Sequence, residues 1–124
     1  MKNIFRILLL VLILASCDKA YEESYPSLYR TDKDGNEVPI MFTNYEITAP
    51  TGELAIVVYY SGKWTASFTS ETDWAYIDRE QGEGIKFLHL GYLRNDSGNN
   101  RSLILRIDAD NGENLEITIT QAAN

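Results

Sequence analysis

The chain has 124 residues and a formal net charge of −7, with 18 acidic residues against 11 lysines and arginines. It is long enough for one domain, and its acidic surface would repel the phosphates of nucleic acids, so we expect no nucleic-acid partner. It contains a single cysteine, so no disulfide within the chain can hold the fold. The core alone must stabilise it.

The N-terminus has the pattern of an export signal. Two basic residues precede an apolar run over 7–14, which is shorter than the about 20 residues needed to span a bilayer. The motif LASC, which ends at Cys17, resembles a bacterial lipobox. That resemblance implies a lipoprotein signal peptide over 1–16, lipidation of Cys17 and a lipid anchor in the outer membrane, on its periplasmic or cell-surface face. The alternative is an ordinary cleaved signal followed by a free thiol.

Residues 17–44 are expected to form a tether and an extra hairpin. The first part is polar and has no periodicity, which is typical of a linker. Asp34-Gly35 lies between two extended segments, 28–31 and 37–42, and is a turn signal. Pro39 would confine the second arm to the edge of a sheet.

From residue 45 onward the pattern is that of short strands separated by turns. Trp64, Ala66 and Phe68 alternate with polar residues, which predicts a strand with one buried face and Trp64 in the core. Residues 81–84 are expected to form a glycine-rich turn. The seven segments with strand character are 45–48, 54–59, 63–69, 74–78, 85–93, 101–109 and 115–119. No helical period occurs in 45–124, so we predict an all-β, immunoglobulin-like antiparallel β-sandwich of about seven strands.

Several short motifs occur in the order and spacing of a known family. They are Gly62-Lys63-Trp64-Thr65-Ala66, Trp74, Gly82-x-Gly84, Asn95, Arg101-Ser102 and Ile117-Thr118-Ile119-Thr120-Gln121. No single motif is specific, but together they resemble the BACON domain, a Bacteroidetes-associated, often N-terminal, carbohydrate-binding module. The resemblance covers about residues 45–121, with Trp74-Ala75 where the family usually has Trp-Leu. It implies a BACON-like sandwich over 45–124 on a cell-surface or periplasmic protein.

The sequence predicts no catalytic residue, no cofactor and no metal site. His89 is the only histidine, its period in the strand points outward, and no nucleophile-elbow motif is present. The acidic groups at 32–36 and 108–111 lack the spacing of a calcium-binding EF-hand and are interpreted as turns. We therefore expect the protein not to be an enzyme.

The aromatic side chains carry the functional prediction, because sugar rings stack on aromatic faces while polar groups bind their hydroxyls. The candidate glycan-binding residues are Tyr59, Tyr76 and Phe87, with Asp73 and Asn95 as polar partners. The expected function is a membrane-anchored surface lipoprotein with a non-catalytic glycan-binding module, whose partner is a polysaccharide or mucin glycan.

The alternative function is a structural spacer or a protein-interaction subunit of a cell-envelope glycan-uptake assembly, with an envelope protein as its partner. The two functions predict different surfaces. One flat apolar patch would favour a protein partner, whereas separate aromatics over a groove would favour a sugar. The outward residues that distinguish them are Val57, Tyr59, Phe87, Leu93 and Ile104.

Overall fold

The computed structural model describes residues 24–124, so the signal sequence and Cys17 lie outside the described residues. Within this range the chain forms ten β-strands and no helix. In particular, residues 24–124 include no helix of the length and hydrophobicity needed to cross a bilayer.

The ten strands form two larger sheets and one small hairpin. The strands are β1 (Tyr29–Thr31), β2 (Glu37–Pro39), β3 (Asn44–Ile47), β4 (Gly52–Val58), β5 (Lys63–Phe68), β6 (Ala75–Ile77), β7 (Gln81–Glu83), β8 (Lys86–Tyr92), β9 (Arg101–Ala109) and β10 (Asn114–Gln121). One sheet has the order β3-β10-β9-β5-β7, a second has the order β4-β8-β6, and β1 pairs with β2. The predicted all-β sandwich is confirmed.

One strand pairing departs from the antiparallel prediction. β3 runs parallel to β10, with Asn44 opposite Thr118 and Ile47 opposite Gln121. The next strand, β4, belongs to the other sheet. Because β3 is not joined to either neighbour by a hairpin, its direction is not fixed by a tight turn.

The core lies between the two larger sheets and follows the alternation of the strands. Leu105 and Ile107 of β9 and Ile117 of β10 are fully buried from one sheet, and Ile56 and Leu90 are fully buried from the other. All of them belong to one hydrophobic cluster. The buried residues recur at every second position, as expected of strands that each bury one face.

Trp64 is the largest side chain of this core and is only 2% exposed, as predicted. Its indole Nε1 donates a hydrogen bond to the carbonyl of Gly84 at 2.9 Å. The ring lies against Gly82, where any Cβ atom would collide with it.

This contact explains why the glycine-rich turn predicted at 81–84 is wrong. Gln81–Glu83 forms the edge strand β7, which pairs with β5, and of the residues 81–84 only Gly84 has a positive φ, of 80°. Gly82 is a strand residue that lets the indole ring approach the backbone, a use of glycine that resembles a turn in sequence.

The expected extra hairpin is present, with Arg30 opposite Val38. Leu28 and Met41, on either side of it, are both buried in the core. The backbone N–H of Leu28 donates to Glu113 Oε1 at 2.9 Å, and Ser27 Oγ donates to Glu113 Oε2 at 2.8 Å. The hydrophobic core thus includes residues that precede position 45.

Candidate functional site

The outward surface of the three-stranded sheet carries the exposed aromatic residues that the sequence singled out. Leu88 and Leu90 point into the core, so the alternate residues of β8 point outward. We call this surface the β8 face. Its members are Glu53, Ala55 and Val57 of β4, Phe87, His89 and Gly91 of β8, and Tyr76 and Asp78 at β6.

Tyr76 lies across the backbone of β8. It is directly opposite Gly91 in the strand pairing, and a Cβ atom at Gly91 would overlap the phenol ring. Tyr76 is nevertheless 62% exposed. Gly91 therefore lets the ring rest on the sheet while most of the residue remains available to a ligand.

Phe87 and His89 form a second aromatic group on the same strand. Their ring centroids are 6.1 Å apart and their planes differ by 21°, so the rings are stacked. Phe87 is 58% exposed. Part of the aromatic surface of Phe87 is therefore available to a sugar ring.

Asp78 fixes the orientation of His89. The backbone N–H of His89 donates to Asp78 Oδ1 at 2.9 Å, and His89 Nδ1 lies 2.9 Å from Asp78 Oδ2. These two hydrogen bonds lower the pKa of the Asp78 carboxyl below its ordinary value, and the backbone hydrogen bond has the larger effect. Asp78 is therefore ionised at neutral pH and holds the imidazole in place.

This pair has the orientation of an acid–histidine couple, but His89 Nε2 faces a carboxylate and not a hydroxyl. Its nearest charged group is Glu53 Oε1, at 4.0 Å. A nucleophilic mechanism needs a hydroxyl or thiol at this position. Within residues 24–124, no group of three or more histidine, cysteine, aspartate or glutamate side chains could hold a metal ion. The absence of enzymatic activity stays a prediction.

Of the five predicted glycan-binding residues, Tyr76 and Phe87 lie on one face and Tyr59 and Asp73 lie elsewhere. Tyr59 follows β4, is half-buried, and its ring centroid lies 5.3 Å from that of Tyr25. Asp73 is exposed in the loop before β6, where it lines an open depression of about 650 Å³ with Phe68.

Asn95 is fully buried and has no atom free for a ligand. Its Nδ2 donates to the carbonyls of Asn99 at 2.8 Å and Ala122 at 3.0 Å. Its Oδ1 accepts from Ser97, both from the backbone N–H and from Oγ. The loop position suggested a surface contact, but the side chain instead holds the loop together, so we exclude it from the site.

The outward row that was to distinguish a protein partner from a sugar is not continuous. Ile104 lies on β9 in the other sheet, and Phe87 and Leu93 lie at opposite ends of β8. Val57 is half-buried. The row is therefore divided between the two sheets and is not one continuous apolar patch, although Val57 lies directly opposite Phe87 on the β8 face.

Two further depressions border the sandwich. One, of about 570 Å³, lies at the edge of β6 and is lined by Tyr76, Phe68 and Glu80 among others. The other, of about 620 Å³, lies beside Lys63 and Asp108. Tyr76 therefore borders both the β8 face and a depression at its edge.

Sequence reasoning placed His89 outward with Phe87 but missed three members of the face: Glu53, Asp78 and Gly91. The period of β8 could also have grouped Gly91 with Phe87, because residues two apart share a face. Nothing in the sequence fixes which strands flank β8, so the placement of Glu53 and Asp78 beside the histidine could not be predicted.

Neither a protein-family model nor a curated protein matches the chain. Solved structures do. A Bacteroides ovatus GH5 xyloglucanase in complex with a XXXG heptasaccharide matches with a TM-score of 0.62 and 17% identity, over 77% of this chain and 19% of the enzyme. A protein from Bacteroides thetaiotaomicron, solved by NMR, matches with a TM-score of 0.51 and 16% identity, over 82% of this chain and 92% of that one.

A third structure, of a protein from Bacteroides vulgatus ATCC 8482, matches with a TM-score of 0.40 and 13% identity, over 78% of this chain and 88% of that one. The chain thus spans less than a fifth of the xyloglucanase and most of the two smaller proteins. At these identities the first two matches show the fold alone. They place the chain among all-β sandwiches of the kind that Bacteroides proteins contain.

Proposed function

We propose that this chain is a non-catalytic glycan-binding module of BACON type on a lipid-anchored envelope protein. The observation that supports it best is the β8 face. Tyr76 and Phe87 are exposed there, on neighbouring strands of one sheet, and polar side chains lie between them. Aromatic faces stack on the C–H surfaces of sugars, and carboxylates accept hydrogen bonds from sugar hydroxyls.

The structural similarities support a carbohydrate-related role. The xyloglucanase was solved with a bound heptasaccharide, and the match to it covers 77% of this chain. The motifs from Trp64 to Gln121 add the resemblance to a carbohydrate-binding family. Fold similarity alone does not transfer a ligand, so the β8 face remains the basis of the proposal.

The proposed location is the outer membrane. The LASC motif supports a lipid on Cys17, and this lipid would anchor the protein in the bilayer. A polysaccharide or mucin glycan would be the ligand on the outside or in the periplasm.

One observation favours the alternative of a spacer or protein-interaction subunit. Glu113 accepts hydrogen bonds from Ser27 and Leu28, which joins the segment nearest the proposed anchor firmly to the sandwich. A hairpin segment held in this way forms one unit with the sandwich, which suits a subunit that positions another protein.

Titration calorimetry of residues 17–124 against a set of soluble polysaccharides tests the proposal. We expect dissociation constants on the order of 0.1–1 mM, since a shallow stacking site that is open to solvent binds modestly. Tyr76→Ala and Phe87→Ala should each weaken binding with little change in melting temperature, because both side chains are exposed.

Phe42→Ala is the matched control, because Phe42 is 78% exposed and lies outside the β8 face. Its binding should equal that of the wild type. Heat from no polysaccharide at millimolar concentration would contradict glycan binding and favour the spacer. If Tyr76→Ala and Phe87→Ala bind as well as the wild type, the ligand lies away from the β8 face.

A further inference from the structure

We infer that the β8 face takes an uncharged oligosaccharide chain, laid along β8 from Phe87 to Tyr76, and that Gly91 is the positioning residue for Tyr76. This inference rests on the proposed glycan binding. It adds the class of ligand, its direction on the sheet and a residue that controls one end of the site.

The direction follows from the strand. Phe87, His89 and Gly91 alternate along β8, and Tyr76 lies over Gly91, so the aromatic groups form a row parallel to the strand. At about 3.3 Å per residue, the four steps from Phe87 to Gly91 span about 13 Å. A single sugar ring cannot contact both ends of this row, but a short chain can.

The polar groups lie where such a chain would present its hydroxyls. Glu53 belongs to β4 on one side of the row, and Asp78 follows β6 on the other. Both carboxylates are substantially exposed, and His89 lies between them. A sugar ring stacked on Phe87 could therefore donate hydroxyl hydrogen bonds to both sides.

The same two carboxylates define the class of ligand. Glu53 and Asp78 are both exposed carboxylates that flank the row, and the whole chain carries a net charge of −7. A uronic acid or sulfated sugar on the β8 face would meet like charges in Glu53 and Asp78. Uncharged sugars avoid this repulsion and keep the hydrogen bonds.

Gly91 determines where the Tyr76 ring can lie. An added Cβ would overlap the Cζ end of the ring, which is the far end of a side chain and can swing away. Gly91→Ala should therefore displace Tyr76 without unfolding the sheet, since alanine is tolerated in a strand at least as well as glycine.

The experiment is a calorimetric titration of residues 17–124 with glucose and with cello-, manno- and xylo-oligosaccharides of two to six rings. Oligogalacturonides of the same lengths are the charged probes. For wild-type protein we expect affinity for at least one neutral series to rise about tenfold from the shortest to the longest member, as a second stacking contact is gained. The oligogalacturonides should bind at least tenfold more weakly than that neutral series.

The variants separate positioning from stability. Gly91→Ala should reduce the affinity for the longest neutral oligosaccharide about as much as Tyr76→Ala does, and leave the shortest ligands unaffected. The double variant should be no weaker than Tyr76→Ala alone, because both changes remove the same contact. A substitution that only damaged the fold would reduce the binding of short and long ligands alike.

The wild-type length series tests the inference even if Gly91→Ala fails to fold. An affinity that does not rise with length, or charged probes that bind as well as neutral ones, would overturn it while leaving glycan binding intact. The inference would also be overturned if a polysaccharide binds but none of the neutral oligosaccharides does. Failure of every polysaccharide, charged or neutral, would instead remove the proposed function itself.

Discussion

Arg101 and Gln121 meet at one end of the sandwich, where Arg101 Nε donates to Gln121 Oε1 at 2.8 Å. Gln121 in turn donates from Nε2 to the carbonyls of Ala49 at 3.1 Å and Leu93 at 2.9 Å. The Arg101 guanidinium also lies 4.4 Å from the ring centre of Trp74. A buried amide, a guanidinium and an indole therefore connect the two sheets at this end.

Gln121→Ala is expected to destabilise the protein strongly. Gln121 is fully buried, and its loss would leave the carbonyls of Ala49 and Leu93 without their side-chain donor. We expect the free energy of unfolding to fall by about 2–4 kcal/mol. Urea denaturation measures it. Glu116→Ala, at an exposed position of the same strand, is the control and should change the midpoint little.

Trp64→Ala is expected to cost about 3–5 kcal/mol of stability, the usual range for emptying a buried aromatic position. Trp64→Phe keeps an aromatic ring and loses the hydrogen bond to the Gly84 carbonyl, so its cost should be smaller. Thermal melts of both variants can be compared with Thr65→Ala, which is exposed on the same strand. A Trp64→Ala protein as stable as the wild type would contradict the burial of this residue.

Glu113→Ala should loosen the segment that precedes β1. Burial raises the pKa of Glu113, but hydrogen bonds from Leu28, Asn111 and Ser27 outweigh it, and the pKa is lowered from its ordinary 4.5. A carboxyl group whose pKa is lowered by folding stabilises the protein at pH values above its ordinary pKa. This stabilisation is lost as the pH falls through the folded-state pKa.

Two measurements follow from this linkage. At neutral pH, Glu113→Ala should speed hydrogen exchange of the Leu28 amide on the order of tenfold, as expected when a local contact opens. The difference in unfolding free energy between wild type and variant should shrink below about pH 4.5. A pH-independent difference would mean that the carboxylate charge does not stabilise this contact.

Cys17→Ala tests the proposed anchor, which lies outside the described residues. We expect the variant to leave the membrane fraction, because stable attachment needs acyl chains that the alanine cannot carry. Detergent partitioning and metabolic labelling with a fatty acid would measure this. Ser24→Ala, at an exposed position outside the LASC motif, is the control, and membrane retention of Cys17→Ala would contradict lipidation.

The strands were predictable because their side chains alternate regularly. Leu105, Ile107 and Ile117 lie at alternate positions of the predicted segments 101–109 and 115–119, and all three are fully buried. The parallel direction of β3 and the existence of β7 could not be predicted in this way. Both strands pair with partners that are distant in sequence. In β7, Gly82 also has no side chain that could contribute to an alternating pattern.

The candidate site was predictable only in part. Tyr76 and Phe87 were identified as outward aromatics, but Asn95 was expected to be a surface contact and is fully buried. Polar residues in a turn-rich loop resemble ligand contacts in sequence. Asn95 could be recognised as structural only once the carbonyl of Ala122 was seen to lie beside it.

The motif residues that carry the BACON resemblance also turn out to have structural contacts. Trp64 binds the Gly84 carbonyl, and Arg101 joins Gln121 to Trp74. None of these three contacts lies on the β8 face. The resemblance thus concerns residues that build the sandwich, and a ligand has to be sought among other side chains.

The parallel pairing of β3 with β10 determines when this chain can complete its fold. β10 lies between β3 and β9, and Gln121 at its end bonds the carbonyl of Thr48, 73 positions earlier. The early strand has no sheet partner until the last strand has been synthesised, and such non-local pairing is slow to form. β3 therefore stays unpaired while residues 48–113 are added to the growing chain. A stop codon before residue 114 would leave the facing edges of β3 and β9 exposed to aggregation.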